Sequence, residues 1–381
     1  MPFYHGLKDY RDLTLDPSDP EKEPYPDKAK WIANRLIALR HDLSQSIAQR
    51  KDPDSLIIGS WNLVAFDGGR PRLDESMHYI AEIIGAMDIC AIQEIKPDLG
   101  PLKRLCKLLG DHWDFLVSDA GHHEGSNNER MAFVYNTNIV QFRSLVGEIV
   151  FPKNDLTQDR QLVRTPYFAS FQSGWFKFVL TSAHIIFDAE DGEDDLERRA
   201  GEVGLLAQEV MKRAKKEGEV YVLLGDFNIP KAHDIVMKAL SGPGLNVLEF
   251  EPSNLARDKH YDQIAFAVPK DKGRLKSDIL DHGVFEWRNA VFGPHQPGAD
   301  FSEDPAEVER ISDEYNLSHY EPITAWNNAH NPKNKSQTAP YANFKRSYTT
   351  FMKTEMSDHL LLWVEIKTDY SKEYLQRFLK D

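Results

Sequence analysis

Order along this chain is carried by short apolar runs rather than by one long periodic stretch. Residues 1–27 are rich in Pro, Asp and Glu and read as an extended arm. Over residues 28–50, Trp31, Ile32, Leu36, Leu39 and Ile47 recur at helical spacing, which predicts an amphipathic helix packed on the main domain. From Ser55 the texture changes to β-rich runs alternating with helices. "SLIIGSWNLVAF", "DICAIQEI", "RMAFVYN", "EVYVLLGDF", "YDQIAFAVP" and "HLLLWVEIK" read as strands. "TPYFASFQSGWFKFVLTSAHIIF" reads as a hairpin turning near Ser173 and Gly174. "DESMHYIAEIIGAM" and "GPLKRLCKLLG" read as helices. So does "EDDLERRAGEVGLLAQEVMKRAKKEG", with acidic residues at its start, Lys and Arg in its last turn and Gly218 after its end. "SKEYLQRFLKD" is a short closing helix.

Many of these strands alternate only weakly, as strands do when both faces are covered. Two β-sheets packed on one another with helices outside would give this pattern, an α/β (α+β) architecture. The expected layout is an arm and helix over 1–54, one large domain over 55–368, and a C-terminal helix over 369–381.

Composition narrows the function. Of 381 residues, 46 are basic and 60 acidic, a net charge of −14, so a bulk positive field is not available to attract nucleic acid. An enzyme using a bound cation and a local basic patch is still allowed. The two cysteines, Cys90 and Cys106, form no zinc or disulfide pattern. The first residues show neither a basic start nor an apolar core of a signal peptide, and no run reaches the roughly 18 apolar residues of a membrane span. The expectation is a cytoplasmic monomer without a membrane partner.

The chemistry sits where the strands end. "SWNL" supplies Asn62 and "AIQEI" supplies Glu94. "NNERMAF" supplies Glu129, "QLVRTPYF" supplies Arg164 and "TSAHIIF" supplies His184. "GDFN" supplies Asp226 and Asn228, "HYDQIAF" supplies Asp262, and "MSDHLLLW" supplies Asp358 and His359. Singly, each is a turn cap or a hydrogen-bonded strand residue. Together they would be costly to bury without a purpose. Carboxylates and amides are oxygen ligands for a hard cation such as Mg²⁺ or Mn²⁺. A His beside a carboxylate is oriented for proton transfer, and Arg is a fork for phosphate oxygens. These are the parts for attack of water on a phosphodiester.

The ordered set "SWNL", "IQE", "RTP", "SAH", "GDFN", "YDQI" and "SDH" resembles the endonuclease/exonuclease/phosphatase superfamily, nearest its DNase I-like branch, over about residues 55–368. The resemblance implies a four-layer sandwich of two mainly antiparallel sheets, with the site at one edge of the packed pair. It implies that Asn62 and Glu94 form the primary metal site, with Asp226, Asn228 and Asp358 around the phosphate and a second ion. His184 with Glu129 and His359 with Asp262 resemble two His–carboxylate pairs, and Arg164 resembles the arginine that approaches the phosphate. On this footing His359 activates water, His184 serves the leaving oxygen, Asn228 and Arg164 hold the phosphoryl group, and Asp226 is a rival base. Abasic-site endonucleases of the superfamily have a Tyr-centred motif where this chain has "TSAHIIF", so His184 points away from them. Asn127 stands where the DNase I pattern has a DNA-gripping Tyr.

Two local stretches bear on substrate. Residues 331–353 carry Lys333, Lys335, Lys345, Arg346 and Lys353 interleaved with Tyr341, Phe344, Tyr348 and Phe351, with no Asp or Glu. Such a mixture suits phosphate contacts and base stacking, so Lys345, Arg346 and Tyr348 are candidate substrate-binding residues. The opposing reading is a solvated basic face. "DAEDGEDDLE", residues 188–197, holds seven carboxylates. It reads as an acidic helix start, with a structural Ca²⁺ site as the alternative. The leading function is a nuclease cutting DNA, and RNA as a further substrate, with little sequence preference. The alternative is a phosphatase or phosphodiesterase acting on a phosphoinositide, a sphingomyelin-like lipid or a small phosphorylated metabolite. A non-enzymatic module that keeps the fold is disfavoured by the complete residue set.

Overall fold

The computed structural model describes residues 2–4, 26–66, 72–121, 127–152, 161–187, 193–269, 278–292 and 349–379. Two six-stranded sheets form its centre. The first contains β1 (Leu56–Phe66), β2 (Ile89–Ile95), β3 (Trp113–Val117), β4 (Arg130–Asn136), β11 (Ile279–Phe285) and β12 (Leu361–Ile366), in the order β11-β12-β1-β2-β4-β3. The second contains β5 (Gln141–Glu148), β6 (Tyr167–Ser173), β7 (Phe176–His184), β8 (Val220–Asp226), β9 (Asn246–Val247) and β10 (Asp262–Ala267), in the order β5-β6-β7-β8-β10-β9. Within each sheet one pair is parallel, β1 with β2 and β7 with β8, and the other pairs are antiparallel.

Strand alternation separates three apolar layers. Along β1, Leu56 and Ile58 face the other sheet, whereas Ile57 and Trp61 face the helices. Phe133, Phe171, Phe178, Leu224, Ile264 and Leu362 fill the space between the sheets. Outside the first sheet lie α1 (Pro26–Gln45), α2 (Asp74–Gly85) and α3 (Gly100–Leu109). Outside the second lie α4 (Glu193–Glu217) and α5 (Ile235–Ser241). On α4, Val203, Leu206, Ala207, Val210 and Ala214 form one buried stripe, and Gly218 at φ +66° ends the helix.

The N-terminal helix buries Ile32, Leu36 and Leu39 against the first helical layer and packs on α2. Beneath it Glu82 is only 6% exposed, with Arg40 Nη1 3.4 Å away. Burial raises its carboxyl pKa from 4.5 to about 7. The folded chain therefore holds this proton more tightly than the unfolded chain. Stability from the group is full below about pH 4.5 and is lost as pH rises through about 7. Glu82→Gln is expected to gain about 1–2 kcal/mol over the wild type at pH 8 and nothing near pH 4.5, allowing for screening by solvent and Arg40. Denaturant melts at the two pH values check this; equal offsets at both would mean an ordinary carboxylate.

The elements beyond the pattern-based expectation include β3, β5, β9, β11, α5 and a short helix, Arg288–Phe292. β5 is an edge strand with Leu145 and Val146 exposed and a register shift between Phe142 and Val146, so it shows no clean alternation. β11 is half-buried along most of its length for the same positional reason. The helix expected over 28–50 spans Pro26–Gln45. Among the described residues no helix is long and apolar enough to cross a membrane.

Candidate active site

Register places the site. His184 at the end of β7 stands opposite Asp226 at the end of β8, and Asp226 stands opposite Asp262 at the start of β10. Three neighbouring strands thus deliver an imidazole and two carboxylates in one row. The first sheet brings Asn62 and Glu94 from the parallel strands β1 and β2, and His359 just before β12.

Local backbone fixes the "GDFN" turn. Gly225 has φ +132°, and a Cβ there would lie 2.0 Å from the Ala183 carbonyl oxygen, so only glycine fits. Asn228, at φ +52°, donates its backbone N–H to Asp226 Oδ1 at 2.9 Å, and its Nδ2 donates to the Ile185 carbonyl at 2.9 Å. The two-residue spacing is therefore an Asx turn rather than strand alternation, since β8 ends at Asp226. Between them Phe227 is fully buried under α4.

Two His–carboxylate pairs face each other across Asp226. His359 Nδ1 lies 2.7 Å from Asp262 Oδ2, which also accepts from Ser253 Oγ at 2.6 Å. His184 Nδ1 lies 3.3 Å from Glu129 Oε2. The two Nε2 atoms point to Asp226 Oδ2, at 3.7 Å from His359 and 3.6 Å from His184. Burial alone would raise the Glu129 pKa, but His184, Arg164 and Lys96 hold it down at about 2. Burial likewise opposes ionisation of Asp226, and the two imidazoles overcome it and lower its pKa. Burial would lower His359, yet Asp262 and Asp226 raise it well above an ordinary histidine.

The remaining sequence-derived residues fall around this centre. Asn62 Nδ2 donates to Glu94 Oε1 at 2.9 Å and to Asp226 Oδ2 at 3.1 Å. Glu94 has φ +62°, accepts from the Ala65 amide at 2.8 Å, and lies 3.9 Å from His184 Nε2. Arg164 Nε donates to Glu129 Oε2 at 2.7 Å while its guanidinium lines the cleft. Asp358 Oδ1 is 3.8 Å from His359 Nε2, and Asp358 Oδ2 is 3.4 Å from Lys353 Nζ. Lys345, Arg346 and Tyr348 lie outside the described residues, as do most of the basic stretch and the first half of the acidic stretch with its Ca²⁺ alternative.

Several contributors carry no sequence signal. Lys96, 3.2 Å from Glu129 Oε1, and Ser253 look like ordinary surface and turn residues in the chain. Ser357 stands in "SDH" with no role that the motif itself suggests; its hydroxyl donates to the Asn62 carbonyl and accepts from the His359 amide at 2.9 Å.

These groups open into a cleft of about 730 Å³, lined by Glu94, Arg164, His184, Asp226, Asp358 and His359 among others. A hard cation fits the donor set. Glu94, Glu129 and His184 form one group of potential ligands, and Asp226, Asp262 and His359 form another. Asn62 Oδ1 and Asp358 Oδ1 are buried oxygens without a hydrogen-bond partner among the described residues.

Residues 59–298 match the Endonuclease/Exonuclease/phosphatase family. The chain belongs to that family. Its members hydrolyse phosphoric esters, and the strand-end cluster lies where this fold brings its two sheets together. No curated protein matches the chain significantly. Among solved structures, humanized D. rerio TDP2 is 14% identical, with 83% of this chain and 100% of that chain covered and a TM-score of 0.48. A family protein from Bacteroides thetaiotaomicron is 16% identical, with 83% and 99% covered and a TM-score of 0.48. The mannosyl-6-phosphatase Bt3783 of the same organism is 16% identical, with 60% and 87% covered and a TM-score of 0.42. These are likenesses of fold at low identity; the family assignment rests on the match over residues 59–298.

Proposed function

We propose that this family hydrolase is a divalent-metal-dependent phosphodiesterase that cuts nucleic acid, DNA foremost. The observation that carries the reading is the convergence of two His–carboxylate pairs on Asp226, beside Glu94, in one open cleft. Glu94 and Asn62, with Asp226 and Asp358 nearby, would hold Mg²⁺ or Mn²⁺. Bound there, the ion would neutralise charge developing on the phosphoryl oxygens.

The chain's own groups handle protons and position. Water attacks phosphorus and its proton passes to the His359–Asp226 pair, whose closest atoms are 3.7 Å apart. As the P–O ester bond breaks, His184 gives a proton to the leaving oxygen. Glu129 holds the His184 ring, and Arg164 faces the phosphoryl group from the cleft wall. Nucleic acid is supported by a second cation, Lys353, which lines the same cleft and can reach a neighbouring phosphate.

The test is incubation with plasmid, single-stranded DNA, RNA and a phosphoinositide panel, with Mg²⁺, with Mn²⁺ and with EDTA. Nicking of plasmid is expected with metal, and its loss in EDTA and in Glu94→Ala. Headgroup release without nicking would replace a nucleic-acid substrate with a lipid one. Activity undiminished in EDTA would remove the metal.

A further inference from the structure

The cleft has two unlike walls. One is the polar cluster around Asp226. The other is apolar, built by Ile186, Phe187, Leu255, Ala256 and Tyr261. Phe187 is 50% exposed, although it comes only three residues after His184. Large aromatic side chains left this open beside a reactive centre call for a ligand more than for a packing account.

Its surroundings hold the ring as a platform. The guanidinium carbon of Arg199 lies 5.6 Å from the Phe187 ring centroid. Arg199 is itself fully buried on α4, and its Nη1 donates to the Asn228 carbonyl at 2.7 Å. The support behind Phe187 is thus tied to the turn that presents Asp226. Tyr261 meets Phe187 edge-on, with ring centroids 6.2 Å apart and planes at 74°. The Tyr261 ring also lies 5.8 Å from the His359 ring. One aromatic ring therefore contacts both Phe187 and an imidazole of the reaction centre.

We infer that Phe187, backed by Arg199 and flanked by Tyr261, is a stacking subsite for an unpaired nucleobase next to the scissile phosphate. This rests on the nucleic-acid reading of the cleft and sharpens it. A base in a duplex has its faces covered by its neighbours and its edge by its partner. A base that reaches this wall must be unpaired and unstacked, so the preferred substrate is single-stranded. Stacking requires only a π-face, which agrees with little sequence preference.

The experiment compares wild type with Phe187→Ala, Phe187→Leu and Phe187→Trp. Each is assayed for kcat/KM on oligothymidylate, on an abasic oligomer of the same length, and on the oligothymidylate annealed to its complement. Thermal melting confirms that all four fold; the half-exposed position makes loss of fold unexpected. Ala and Leu are expected to lose on the order of tenfold or more on the single strand, and Trp to remain within about twofold of wild type. On the abasic oligomer the four should coincide, and wild type should cut the single strand faster than the duplex. Equal losses with and without bases, rescue by Leu, or an unaffected Ala variant would overturn the subsite while leaving the nuclease reading standing. Failure of the wild type to cut any of the three oligomers would overturn both.

Discussion

Alanine in place of His359 is expected to slow phosphoester hydrolysis by about 10²–10⁴-fold, the usual worth of a positioned proton-transfer group. The His359 ring is not free to turn. Asp262 grips Nδ1 at 2.7 Å, and Ser253 holds the same carboxylate oxygen. Its backbone is fixed as well, because Trp61 Nε1 donates to the His359 carbonyl at 2.9 Å. Only Nε2 is left to face Asp226 and the cleft. Asp262→Asn should give a loss of similar order, since an amide favours the wrong tautomer while preserving shape. Single-turnover rates on bis(p-nitrophenyl) phosphate, with circular dichroism as a control for folding, measure both. If His359→Ala stays within about tenfold of wild type, the pair serves the fold rather than the reaction.

Arg72→Leu should destabilise the protein by about 3–5 kcal/mol and lower activity with it. Arg72 is 4% exposed. Its guanidinium donates to the carbonyls of Leu63, Val64, Glu355 and Met356, and lies 5.1 Å from the Phe66 ring centroid. Leu63 is next to Asn62 and Met356 precedes the "SDH" segment, so one side chain joins the two backbone stretches that carry site residues. Leucine leaves those carbonyls buried with no donor from this position. Lysine should not rescue, because a single ammonium cannot reproduce the planar fork. Chemical denaturation gives the stability change, and kcat on the same preparation gives the effect on the site. A cost below about 1 kcal/mol would mean that water replaces the guanidinium.

Pattern and structure agree in some strands and part in others for identifiable reasons. β1, β2, β4, β8, β10 and β12 are legible because each is a short apolar run closed by a turn residue. β5 and β11 are not, because an edge strand exposes one face and part of the other, which blurs alternation. The candidate site is legible as a list of strand-end residues. Its pairing is legible only through the family resemblance, since nothing local to His359 points to Asp262, 97 positions away. Lys96, Ser253, Arg72 and Phe187 are invisible as site residues. A lysine after a strand or an aromatic near a loop has no distinguishing neighbours in the chain.

The sequence by itself determined the element types, the layered α/β class and the chemical inventory of the strand ends. Those properties depend on spacing over a few residues, on glycine at a left-handed turn, and on which functional groups are present. Tertiary structure alone decided which groups meet. The register of β7, β8 and β10 sets His184, Asp226 and Asp262 in one row, and packing of the two sheets brings Asn62, Glu94 and His359 against it. It also decided the electrostatics. Glu129 is held near pKa 2 and His359 well above its ordinary value because burial strengthens the pull of oppositely charged partners that only the fold supplies.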